Sequence, residues 1–181
     1  MDISVILNIT NYIFVLIFGI VVSLCLADIS WKKYSGFYII TLILFALIQA
    51  VFYFVLGETV LYKCYPLLIH IPLILLICFY FHKNILISVT SVLAAYLLCT
   101  PRKWFGTLAA SFFDGNTLVS DTVSILVTIP LMILVIKYMS PYIIRLKYES
   151  KKALLLFFML PLAYYILEYT FTVYTDLLYT G

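Results

Sequence analysis

Residues 5–27 read VILNITNYIFVLIFGIVVSLCLA, 23 positions without a charged side chain. At ~1.5 Å per residue this is ~35 Å of helix, enough to cross a bilayer core of ~30 Å. Asp28 ends the run, and Lys32 and Lys33 follow it. Working outward, the same pattern recurs over 36–56, 64–81, 85–99, 118–139 and 153–174, each broken from the next by charge or by turn residues. Membrane strands would show segments of ~10 residues with alternating polarity. These runs are continuously apolar and most are about twice that length, so each backbone must satisfy itself as a helix. The fold class that follows is all-α, a polytopic transmembrane bundle of six spans.

Composition agrees. The 181 residues are 66% hydrophobic and 10% charged, with mean hydropathy +1.18. A soluble domain carries ~25% charged residues and could not be wrapped by so few. Disorder and a disulfide-stapled secreted scaffold are excluded on the same figures. Met1-Asp2 opens the chain without a basic segment, and the first run is too long for a signal peptide, so it is expected to remain as a span.

Orientation is read from Lys and Arg. With the N-terminus outside, the inner breaks hold Lys32, Lys33, Lys83, Lys137, Arg145, Lys147, Lys151 and Lys152, and the outer breaks hold Lys63, Arg102 and Lys103. Eight against three favours that orientation. The stretch 140–152, read as a loop, carries most of the bias, and Lys137 to Lys152 are expected to meet anionic lipid or a cytoplasmic domain. Residues 104–113 are too few to span. They are expected to form a short interfacial or re-entrant helix closed by the turn Asp114-Gly115-Asn116, the alternative being a fourth helix that continues past Pro101.

Polar residues inside the runs are the candidates for function. Glu168 lies in the sixth run, where an acid is costly and faces the bundle interior; Tyr164 and Tyr165, four and three residues back, share its helical face and are expected within hydrogen-bond reach. His70 sits between Pro66 and Pro72, and reads either as a structural residue answering a carbonyl that Pro72 frees or as a ligand or proton site. Asp121 lies near the start of the fifth run. With Glu58, Lys63, Arg102, Lys103, Asp114 and Asp176 these residues fall on the outer side, as a polar vestibule or simply as charges collected at helix ends. The candidate ligand-binding set is His70, Arg102, Lys103, Asp121, Tyr165 and Glu168. Cys25, Cys64, Cys78 and Cys99 are far apart and read as apolar fillers. Gly19, Ser23 and Ala27 form a small-residue stripe suited to close helix contact, within the bundle or with a second copy. No phosphate-binding glycine loop, nucleophile elbow or HExxH stretch is present, so no catalytic residue, metal site or cofactor is assigned.

Three stretches carry a resemblance: Leu61-Tyr62-Lys63-Cys64-Tyr65-Pro66-Leu67-Leu68-Ile69-His70-Ile71-Pro72-Leu73, Ala94-Ala95-Tyr96-Leu97-Leu98-Cys99-Thr100-Pro101-Arg102-Lys103-Trp104-Phe105-Gly106, and Val173-Tyr174-Thr175-Asp176-Leu177-Leu178-Tyr179. Together they resemble the N-terminal transmembrane sensor region of bacterial sensor histidine kinases with a GHKL-type ATPase domain, similar in layout to quorum-sensing receptor kinases. The resemblance implies two-component signal transduction from a bacterial plasma membrane. It also implies a further span, a linker with the phosphoacceptor histidine and the ATPase domain beyond Gly181, and therefore no kinase activity in these residues. Lipid, an extracellular peptide or small molecule, and a second copy through the full-length protein are the partners expected; nucleic acid is not. The rival class is a small substrate-binding membrane subunit of a vitamin or metal uptake transporter, with His70, Asp121 and Glu168 on the solute.

Overall fold

Helix α1, Ile3–Leu26, carries two apolar stripes at four-residue spacing. Leu16, Ile20 and Leu24 enter one buried cluster with Tyr38, Phe45, Ile69, Leu73, Ile77 and Val92. Phe18, Val22 and Leu26 enter a second, with Ala94, Ala95, Cys99, Val135 and Ile143. Positions four apart lie on one helical face, so α1 is apolar on two sides and sits between both clusters. Ser23 and Ala27 are buried here, which places this part of the small-residue stripe inside the bundle.

The computed structural model describes residues 3–174. Among them are six helices long and apolar enough to cross a membrane, and no strand. After α1 come α2 (Trp31–Leu56), α3 (Lys63–Tyr80), α4 (Ile85–Ser111), α5 (Thr117–Glu149) and α6 (Lys151–Phe171). The protein is a polytopic, all-helical membrane protein. Short connections make sequence neighbours antiparallel. The start of α1 therefore meets the ends of α4 and α6, and the opposite ends gather at the other side.

Helix α4 is the most enclosed, and small side chains make this possible: Ser88, Thr90, Ser91, Ala94 and Ala95 are all buried. The Ser88, Thr90 and Ser91 hydroxyls donate to carbonyls one turn back at 3.1, 2.6 and 2.8 Å, which satisfies them in an apolar setting. By contrast, α2 turns Ile40, Ile43, Leu47, Val51 and Phe54 outward, the surface a lipid solvent requires.

Of the two alternatives for 104–113, the structure takes the longer fourth helix rather than a separate short one. Thr100 keeps right-handed helical backbone angles (φ −62°, ψ −39°), and Pro101–Ser111 continues α4. Pro101 cannot donate to the Leu97 carbonyl, but the Thr100 N–H reaches it at 3.1 Å, and the Thr100 hydroxyl reaches the Tyr96 carbonyl at 3.4 Å. The freed acceptors are answered, so the helix continues. The turn at Asp114-Gly115-Asn116 forms as expected, with Asp114 and Gly115 at positive φ and the Asn116 side chain accepting from the Leu118 N–H. The stretch 140–152 also differs from a loop: Ser140–Glu149 is helical and extends α5.

Prolines shape the remaining helices. Pro66–His70, which begins at a proline, and Leu76–Tyr80 and Val135–Met139, which lie beyond Pro72 and Pro130, are π-helical turns. The first of these leaves Ile69 and His70 adjacent and both buried.

Candidate functional site

At the end of the bundle where α1 begins, the first half of α1 contributes no buried residue, and a partly open cavity of about 170 Å³ lies against it. This exceeds the ~150 Å³ of an engineered protein cavity that accepts benzene. Its walls come from α1 (Asn8, Asn11, Tyr12, Gly19), α3 (Tyr65, His70), α4 (Tyr96, Arg102, Lys103) and α6 (Glu168, Tyr169), with Leu16, Ile20, Leu73 and Val92 as the apolar floor.

Arg102 is 2% exposed. Its Nη1 donates to Asn11 Oδ1 at 2.7 Å and, at 3.4 Å, to Thr128 Oγ1 on α5. Asn11 Nδ2 in turn donates to Asp121 Oδ1 at 3.2 Å. Among the described residues the guanidinium thus reaches a carboxylate only through an amide, and its Nε–H is buried without a hydrogen-bond partner. An unanswered donor on a buried charge costs more than on a neutral group. The α4 backbone is pinned at the same point, where Ser124 Oγ donates to the Arg102 carbonyl at 3.3 Å.

Lys103 Nζ lies 3.6 Å from Glu168 Oε1. Glu168 faces the interior, as expected, and its side chain is 12% exposed. Its expected tyrosine contact is replaced: Lys103 is its ion partner, and the Tyr165 hydroxyl shares a 2.8 Å hydrogen bond with His70 Nδ1. Glu168 Oε2 is buried without a hydrogen-bond partner among the described residues. His70 is 7% exposed and ringed edge-on by Tyr65, Tyr96 and Tyr165 at centroid distances of 5.2 to 5.4 Å. Its ring nitrogen is answered from α6 across the bundle, so His70 ties α3 to α6.

Of the six candidates, His70, Arg102, Lys103 and Glu168 line the cavity. Tyr165 stands behind His70, and Asp121 stands behind Asn11. The wider vestibule contracts: Lys63 and Asp114 are exposed, and the Glu58 side chain and all of Asp176 lie outside the described residues. Asn11 and Thr128, which hold Arg102, are neutral residues inside apolar runs. The spacing of Asn8 and Asn11, two amides on one face of α1, was the available signal.

At the other end, the sequence reads Lys147 as a basic loop residue facing the cytoplasm. Instead it is 7% exposed, and its Nζ donates to the Leu26 carbonyl at the end of α1 and to Ser91 Oγ of α4 at 2.7 Å. A cation suits the last carbonyls of a helix. Lys83 and Tyr148 both reach Asp28 nearby, at 3.8 and 2.9 Å.

Comparison with protein-family profiles, with curated proteins and with solved structures finds no match to this chain.

Proposed function

We propose that this chain is the ligand-sensing membrane region of a signalling protein of the histidine-kinase type, and that a small molecule in the cavity is its signal. The observation that carries the proposal is the cavity itself, a partly open space lined by a buried arginine and an inward-facing, partly buried carboxylate, each with one buried hydrogen-bonding atom left unanswered among the described residues. Two of the stretches that resemble sensor kinases supply its walls: Tyr65 and His70 from the first, Tyr96, Arg102 and Lys103 from the second. Helices α1 and α4 line the cavity at one end and hold Lys147 at the other, so a ligand that shifts one against the other has a route across the membrane.

A substrate-binding uptake subunit is the second reading, and the same cavity favours it. Both readings require occupancy. The test is thermal stabilisation of the chain in lipid nanodiscs by a panel of carboxylates, amines, zwitterions, sugars and nucleosides. Gly19→Leu is the control, because a side chain there enters open space in the cavity wall. At least one compound is expected to stabilise the wild type and not this variant. A panel without any such compound would refute both readings. Uptake of the active compound into proteoliposomes then separates transport from sensing.

A further inference from the structure

Two side chains that line one cavity carry buried, unanswered atoms of opposite polarity. Arg102 Nε is a buried donor on a cation, and Glu168 Oε2 is a buried acceptor on an anion. Each side chain is already held by other groups, Arg102 by Asn11 and Thr128, and Glu168 by Lys103. A simple anion would answer Arg102 and leave Glu168 bare, and a simple amine would do the reverse. A divalent cation would meet one lining carboxylate against two lining cations, Arg102 and Lys103.

We infer that the cavity takes a small α-amino acid with an apolar side chain, its carboxylate on Arg102, its ammonium on Glu168 and its side chain over Leu16, Ile20, Leu73 and Val92. The inference rests on the reading that the cavity binds a small molecule. Charge balance supports the zwitterion. Among the described residues Arg102 and Lys103 stand against Glu168 and, one amide behind, Asp121, so these four charges balance. A neutral zwitterion keeps them balanced, whereas a net-charged ligand would leave an uncompensated charge in a setting of low dielectric.

The test changes the ligand before it changes the protein. Leucine is titrated against the wild-type chain in nanodiscs beside 3-methylbutylamine, which lacks its carboxylate, and 4-methylpentanoate, which lacks its ammonium. Each analogue leaves one buried charged group unanswered and is expected to bind at least about tenfold more weakly. In Arg102→Gln the preference for leucine over the amine should fall to within about threefold, while the preference over the carboxylate is kept. Glu168→Gln should do the converse, and the wild-type titrations decide if either variant fails to fold. Either analogue binding the wild type within threefold of leucine would overturn the inference. So would a Gly19→Leu-sensitive hit of another class, but that result leaves the cavity reading standing. Absence of any such hit removes both.

Discussion

Alanine at Gly106 and alanine at Gly19 should shift stability in opposite directions. Both glycines are helical, and replacing glycine in a helix gains ~0.5–1 kcal/mol from backbone entropy at either site. A Cβ at Gly19 meets nothing within 4 Å, so that gain stands alone. A Cβ at Gly106 falls 2.6 Å from the Ser120 carbonyl oxygen, and closer still to Ser124 Oγ. Ordinary contact begins at 3.4 Å, so α4 and α5 must part by roughly 0.8 Å at this crossing. Overpacking of this kind costs ~1–3 kcal/mol, which leaves Gly106→Ala destabilised by up to ~2.5 kcal/mol net. The propensity term cancels between the two variants, so their difference isolates the packing cost. The separation also bears on the cavity, because the Arg102–Thr128 contact between α4 and α5 is already 3.4 Å and would be lost. Unfolding in mixed micelles by SDS titration, followed by the fluorescence of Trp104, measures both variants. Adding Ser124→Ala to Gly106→Ala should restore only part of the loss, since the Ser120 carbonyl remains. Equal shifts of the same sign at Gly19 and Gly106 would refute the close approach of α4 to α5.

Amine-directed acylation of the chain in nanodiscs, mapped by mass spectrometry, should modify Lys32, Lys33, Lys151 and Lys152, which are exposed, and spare Lys147. Labelling of Lys147 at the rate of its neighbours would contradict its contact with Leu26 and Ser91. A double-mutant cycle of His70→Phe and Tyr165→Phe should give a coupling energy of about 1 kcal/mol, and none if the two rings merely pack. Reporter fusions are expected to be exterior at Asn116 and cytoplasmic at Ser150, and the reverse pattern would invert the proposed orientation.

The spans were legible because the bilayer imposes one term on every position in them. A run such as 36–56 must be long and apolar whatever its neighbours are, so a single chain suffices to see it. The continuation of α4 past Pro101 was harder, since it depends on whether one carbonyl, Leu97, finds a substitute donor, and Thr100 supplies it from local geometry. The polar network was legible only in part, for a related reason. The cost of burying Glu168, His70 or Arg102 is a property of one residue and marks it at once. The partner that offsets the cost is a property of the packing: Asn11 lies 91 residues from Arg102, and Tyr165 lies 95 from His70. Helical spacing pointed from Glu168 to the tyrosines one turn away, whereas the bundle joined it to Lys103 on another helix. Lys147 misled for the opposite reason. A lysine beside Arg145 and Tyr148 in a polar stretch resembles a solvated loop. Only the meeting of α5 with the end of α1 shows that its ammonium closes a helix end, and one cation in the orientation count thereby becomes part of the core.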